Sequence, residues 1–278
     1  MNIFTTKKEL GEHLKKLRNE GNTISFVPTM GALHQGHLSL LAFAQRQTDI
    51  TVCSIFVNPT QFNDLKDLEK YPRPIASDIA KLEQSGCDVL FNPGVDEMYA
   101  PGERWHLDIG ELETLLEGKF RPGHYQGVTQ VVYKLFDIVK PGLAFFGQKD
   151  YQQFMIIQRM VDLLKLPVKL VMCPILREPD GLAMSSRNIH LSAEDRQHAL
   201  ILSKTLNWLR DNFDLNRIEA LERECFDRIN AEHGVKAEYF EITDGRNLHQ
   251  ADRSTQNIVA LVAARVGNTR LIDNVILS

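Results

Sequence analysis

What this chain has little of narrows its chemistry first. It holds only four cysteines, Cys53, Cys87, Cys173 and Cys225, scattered in apolar stretches with no Cys-x-x-Cys pair. That speaks against a disulfide framework and suits buried thiols in a reducing cytosol. It has no excess of basic charge: 32 Lys and Arg stand against 36 Asp and Glu, so no basic face is expected for gripping a phosphate backbone, and nucleic acid is not expected as a partner. No apolar run approaches membrane-spanning length, and the opening MNIFTTKKELGEHLKKLRNEG reads as an amphipathic helix without a signal-peptide core. A cytoplasmic protein with no membrane partner is expected. Repeats and low-complexity segments are missing too.

What is present is an alternation. Apolar, β-rich runs TISFVP (23 to 28), ITVCSIFV (50 to 57), CDVLF (87 to 91), LAFF (143 to 146) and VKLVMCPI (168 to 175) are separated by helical patterns such as HLSLLAFAQRQ and SDIAKLEQSG. Short continuous apolar strands between helices predict an α/β, doubly wound parallel sheet covered on both faces. After about residue 180 the pattern changes to two helical stretches, 192 to 212 and 215 to 233, followed by β-forming runs AEYFEIT, NIVALVAARV and TRLIDNVIL. This predicts a first domain over 1–176 and a smaller α+β domain over 177–278, with the boundary near Pro179 and Gly181.

In such a sheet ligands gather where strands end and helices begin. The stretch PTMGALHQGHLSLL places His34 and His37 there, with Gly36 between them and a helix expected to begin near His37. A helix mouth offers backbone N–H groups and a positive dipole end to an anion, imidazole N–H groups can follow charge growing on phosphorus, and a glycine lets a nucleotide approach closely. The plainer reading, that two histidines merely cap a helix, is the better one for an isolated His-x-x-His. A metal reading is weaker still, because His13, His106, His124, His190, His198, His233 and His249 form no spaced partner motif. Two further segments favour a nucleotide: FFGQKDYQQF, with Lys149 and Asp150 at a helix start, and DGLAMSSRN, with Ser185, Ser186 and Arg187 on a glycine-bearing loop.

MGALHQGH, FVNPTQF, YPR, GQKDYQQ and MSSRN, in this order and spacing, closely resemble the pantothenate synthetase (pantoate–β-alanine ligase) family. The likeness spans the chain and is strongest from Phe26 to Asn188; the H-x-G-H element alone is shared with nucleotidylyl transferases and one class of aminoacyl-tRNA synthetases. The resemblance implies a Rossmann-type, nucleotidylyl transferase-like domain, a small C-terminal domain closing over ATP, a homodimer, and ATP-dependent condensation of (R)-pantoate with β-alanine through pantoyl adenylate, releasing diphosphate and then AMP. It implies ATP contacts from Met30, Gly31, Ala32, Leu33, His34, Gln35, Gly36 and His37. Further ATP contacts are implied from Gly147, Gln148, Lys149 and Asp150, and from Leu176, Met184, Ser185, Ser186 and Arg187. His37, His34 and Lys149 would act in catalysis, Asp150 would hold a ribose hydroxyl, and the Leu176 backbone would meet adenine where the family commonly has valine. Gln61 and Gln153 would bind pantoate, Gln61 also β-alanine, as neutral amides that orient a carboxylate nucleophile without neutralising it. Mg²⁺ is expected on the ATP phosphates, with few protein ligands.

Val128, Val131 and Val132 follow helical spacing and suit either plain core or a cover for the pantoate dimethyl group. An adenylyl transferase would use the same nucleotide site but needs an added basic pocket, for which only Arg73 and Arg121 offer themselves. A non-catalytic ATP-binding regulator would have no need of the histidines, and both are present.

Overall fold

The computed structural model describes residues 1–63 and 65–278. By internal packing the chain divides into two compact units, Met1–Gly147 with Gln153–Cys173, and Gln148–Gln152 with Pro174–Ser278.

The first unit is built on six parallel strands, β1 (Asn2–Phe4), β2 (Ile24–Thr29), β3 (Ile50–Ile55), β4 (Val89–Phe91), β5 (Leu143–Gly147) and β6 (Lys169–Cys173), in the order β1-β4-β3-β2-β5-β6. Its helices are α1 (Lys7–Asn19), α2 (Gln35–Gln45), α3 (Leu65–Lys70), α4 (Ile75–Gln84), α5 (Val95–Met98), α6 (Glu117–Phe120), α7 (His124–Val139) and, from Gln153 onward, α8 (Tyr151–Leu164). Neighbouring strand residues point to opposite faces, and both faces are dry. Phe26, Val52, Phe91 and Phe146 pack with residues of α1, α7 and α8, while Val27, Cys53, Leu90 and Phe145 pack with Leu40, Leu41 and Ala44 of α2 and Leu82 of α4. Continuous apolar strands are the sequence signature of a sheet buried on both sides.

The opening residues correct one expectation. Asn2–Phe4 form edge strand β1, and the helix begins only at Lys7, where the Thr6 side chain accepts from the Glu9 N–H. A three-residue strand is too short to show a period, so the helical pattern that follows it masks it.

The second unit has an antiparallel sheet β7-β8-β9, of Val235–Asp244, Ile258–Val266 and Thr269–Ile276, with helices α9 (Ala193–Asp211) and α10 (Ile218–Asn230). Leu202, Leu206, Leu209, Leu221, Cys225 and Ile229 of the helices share one core with Phe240, Ile242, Val262 and Ala264 of the strands. Among the described residues no helix is long and apolar enough to cross a membrane.

All four thiols are free and buried. Burial pushes Cys87 and Cys225 up to about 12 and Cys173 to about 11, and raises Cys53 well above the ordinary thiol value. The native chain therefore keeps thiol protons that the unfolded chain gives up, so their contribution to stability is intact below the ordinary thiol pKa and is lost as pH rises through the folded values. Urea midpoints should decline as pH is raised from about 9 to 12, and replacing Cys87 and Cys225 by alanine should flatten that decline. An equally steep decline in the double variant would assign it to other groups.

Candidate active site

The order of the sheet decides where a ligand can sit. From β2 the chain winds outward through β3 and β4, whereas β5 and β6 lie on the other side of β2. The winding reverses between β2 and β5, and loops leaving the carboxyl ends of strands at such a point open a crevice. The loop that leaves β2 there is Met30–His34.

Its conformation is held from several directions. Thr29 Oγ1 accepts from the Gly31 N–H at 3.2 Å and donates to the Ser54 carbonyl at 2.7 Å. Gly31 and Ala32 both take left-handed backbone angles, φ 81° and 49°. A Cβ on Gly31 would stand 3.0 Å from Ile55 Cγ2 and 3.1 Å from Asp78 Oδ2, so the position excludes a side chain on steric as well as backbone grounds. The buried carboxylate of Asp78, on α4, accepts from the N–H groups of Ala32 and Leu33 at 2.7 and 2.8 Å. One turn on, Lys81 Nζ donates to the Leu33 carbonyl at 2.7 Å. Asp78 and Lys81 thus clamp donors and an acceptor of one loop from a single helix face.

Helix α2 starts at Gln35, earlier than the His37 expected from sequence, and His34 is its N-cap. Histidine is outside the usual Ser, Thr, Asp and Asn caps, which is why the sequence pattern puts the start too late. His34 Nδ1 accepts from the Gly36 N–H at 3.1 Å, and His37 Nδ1 reaches back to the His34 N–H at 3.4 Å, a reciprocal box made of two imidazoles. The rings lie 4.1 Å apart at 34°. With each Nδ1 turned to a backbone donor, the proton of each neutral ring sits on Nε2. The cap thus fixes two imidazole N–H donors at the positive end of a helix.

Gln61 reaches the same loop. It is buried in a 3-10 turn, Pro59–Gln61, and its Nε2 donates to Met30 Sδ at 3.1 Å. Asn58, a residue that sequence reasoning does not single out, fixes the amide by donating from Nδ2 to Gln61 Oε1 and to the Gly127 carbonyl, each at 3.0 Å. Tyr99 in turn donates to Asn58 Oδ1 at 2.6 Å; burial holds its phenol up at about 12, so it stays a donor. His124 Nδ1 lies 2.7 Å from the Gln61 carbonyl. Gly127 lets α7 touch the turn, because a Cβ there would stand 2.4 Å from the Thr60 carbonyl oxygen. Gly127→Ala should push the turn off α7 and lower the unfolding temperature. An unchanged unfolding temperature would show that the turn tolerates the displacement.

Val128, Val131 and Val132 are buried in the main core, which is the plain-core reading. Gln153 is half-buried in the first turn of α8, and Gly147 ends β5.

In the second unit, Gln148–Asp150 form a 3-10 turn pinned by Asn274 of β9. The buried Asn274 amide donates to the carbonyls of Gln148 and Lys149, both at 2.9 Å, and accepts from Gln148 Nε2 at 3.0 Å. Lys149 Nζ lies 3.7 Å from Asp150 Oδ1. The expected phosphate loop is a closed hairpin. The Leu176 carbonyl accepts from the Met184 N–H at 3.0 Å, Gly181 turns at φ 96°, and Arg177 holds the Gly181 carbonyl while forking onto Asp273 at 2.7 and 3.0 Å. Ser185 caps the following 3-10 turn Ser186–His190, accepting from the Arg187 N–H. Sequence reasoning does not find Asn58, Asp78, Arg177, Asp273 or Asn274; each makes a contact 45 or more residues along the chain, where spacing gives no signal.

A cavity of about 430 Å³ opens elsewhere, among Asn2, His13, Ile50, Cys87 and Asp88. It lies at the amino ends of the strands, the wrong edge for a ligand of this architecture.

The profile of pantoate–β-alanine ligases matches residues 2–276. This chain belongs to the pantoate–β-alanine ligase family. The pantothenate synthetase of Porphyromonas gingivalis strain W83 is 46% identical over 277 residues, covering 99% of both chains, and that of Aquifex aeolicus is 47% identical over 98% of this chain and 97% of its own. Among solved structures, the pantothenate synthetase of Thermus thermophilus superposes with a TM-score of 0.93 at 39% identity, covering 100% of this chain and 99% of its own. The Francisella tularensis ligase, solved with β-γ ATP and β-alanine, superposes at 0.82 with 36% identity over 100% of this chain and 98% of its own. In this ligase family member, the six-stranded parallel sheet and the small antiparallel sheet agree with those structures.

Proposed function

We propose that the protein joins (R)-pantoate to β-alanine at the expense of ATP, giving pantothenate, AMP and diphosphate through pantoyl adenylate. The observation that carries this reading is the histidine capping box: two Nε2–H donors fixed at the mouth of α2, beside the sheet's reversal point, with the Gln61 amide braced against Met30 of the same loop.

A carboxylate does not acylate an amine until one of its oxygens has been made a leaving group. Gln61 and Gln153 orient the pantoate carboxylate through neutral amides, and one oxygen attacks the α-phosphorus. As the bond to diphosphate breaks, negative charge grows on the phosphoryl oxygens, where His34 and His37 donate. Donors already locked in place need no reorganisation as that charge appears. Lys149 counters phosphate charge, Asp150 holds a ribose hydroxyl, and Ser185, Ser186 and Arg187 supply further donors. The β-alanine amine, next to Gln61, then attacks the acyl carbon; the carbon–oxygen bond breaks, AMP leaves with the former carboxylate oxygen, and the amine loses a proton.

Mg²⁺ suits this site as a passenger of the phosphates. Asp78, the carboxylate touching the loop, is already engaged by two backbone N–H groups, and an ion that keeps most of its waters needs few protein ligands. A homodimer in the cytoplasm accompanies the family reading, and four free buried thiols suit a reducing compartment.

The test follows one atom. Pantoate labelled with heavy oxygen in its carboxylate should yield AMP carrying one labelled oxygen, and diphosphate exchange into ATP should require pantoate but not β-alanine. Unlabelled AMP, or exchange that needs β-alanine, would overturn the adenylate route.

A further inference from the structure

The second unit carries a cluster that shares no residue with the candidate active site. Glu194 and His198 stand one turn apart on the first part of α9, and His233 lies in the turn between α10 and β7, which Gly234 closes at φ 71°. One carboxylate oxygen and one nitrogen from each imidazole all fall within 4.8 Å of one another. His198 Nε2 is 3.8 Å from Glu194 Oε1, and the two imidazole rings are 5.4 Å apart. In sequence the residues show nothing, since 194 and 198 are far from 233 and no third spaced ligand accompanies them.

A second observation separates this cluster from a chance gathering of surface groups. His198 Nδ1 is bonded to Glu232 Oε1 at 2.6 Å. That bond sets the ring plane, keeps Nδ1 occupied and leaves Nε2 on the side of Glu194. A carboxylate behind the far nitrogen of a ligating imidazole is the usual outer shell of a zinc histidine, where it fixes the ring and raises its basicity. We propose that Glu194, His198 and His233 form a binding site for a zinc-class divalent cation, with Glu232 as the positioning residue behind His198 and water as the fourth ligand.

The donor set selects the ion. Two imidazoles and one carboxylate suit Zn²⁺, whereas Mg²⁺ and Ca²⁺ call for oxygen ligands throughout. Tetrahedral bonds of about 2.0–2.1 Å put ligand atoms roughly 3.4 Å apart. The 3.8 Å between Glu194 and His198 needs only a small inward turn, and the Glu194 side chain is 78% exposed and able to make it. Binding would clip the beginning of α9 to the turn that leads into β7. Without metal, His198 lies between Glu194, 3.8 Å from its Nε2, and Glu232, 2.6 Å from its Nδ1.

The test is calorimetric titration of the chelator-stripped full-length protein with Zn²⁺ alone. One equivalent should bind per chain, with a rise in unfolding temperature. X-ray absorption should show two imidazole nitrogens and oxygen neighbours, with no sulfur. His233→Ala, an exposed turn position, should abolish the one-to-one binding and leave ATP-dependent activity measured without zinc unchanged. Glu232→Gln should keep the stoichiometry and weaken affinity by about 10- to 100-fold. The proposal is overturned if no saturable single equivalent binds, if binding survives undiminished in His233→Ala and His198→Gln, or if Glu232→Gln binds as tightly as the parent.

Discussion

Replacing His37 by alanine should slow pantoate-dependent diphosphate exchange into ATP by about 10²- to 10³-fold, because a preorganised donor aimed at transition-state charge is worth that much. Alanine removes two things at once, the Nε2–H donor and the Nδ1 that faces the His34 N–H. Two other replacements separate them. The amide oxygen of asparagine stands near the place of Nδ1, so His37→Asn should keep the unfolding temperature of the parent and still lose turnover. The longer amide of glutamine sets an N–H near the place of Nε2, so His37→Gln should recover part of the rate. If asparagine were as active as histidine, His37 would be a cap and nothing more.

The second large effect is expected at Asp78, a residue that touches no substrate in this scheme. Asp78→Ala leaves the N–H groups of Ala32 and Leu33 without their acceptor on a loop already holding left-handed angles at two positions. Each unsatisfied buried donor costs about 1–3 kcal/mol, so a loss of roughly 2–6 kcal/mol in urea unfolding is expected from the pair. Turnover should fall with it, since the same loop sets the position of Met30 against Gln61 and of His34 at the cap. Asp78→Asn keeps one acceptor oxygen and should fall between the two. Wild-type stability and turnover in Asp78→Ala would mean that the loop holds itself.

Asp78 also marks the boundary of what a sequence can tell. It sits in SDIAKLEQSG, which reads as an ordinary helix and is one; its partners lie 46 and 45 residues away. The parallel sheet is legible because apolar runs buried on both faces leave a local signature. The two histidines are legible because they follow a strand and open a helix. The start of that helix is not, because an imidazole is an uncommon cap. Asn58 stays hidden although it stands within FVNPTQF, since nothing local says that its amide braces Gln61. Folding creates those contacts, and no spacing along the chain announces them.

One such contact has a consequence in time. The turn that carries Lys149 is held through its carbonyls by Asn274, 125 residues downstream of Lys149. A ribosome makes residue 149 long before residue 274, and domains assemble from the amino end as they emerge. The parallel sheet with its H-x-G-H loop can therefore be complete while the lysine turn still waits for the last strand. Cutting the chain ahead of Asn274 should accordingly leave the parallel sheet folded and the carbonyls of Gln148 and Lys149 without their donor.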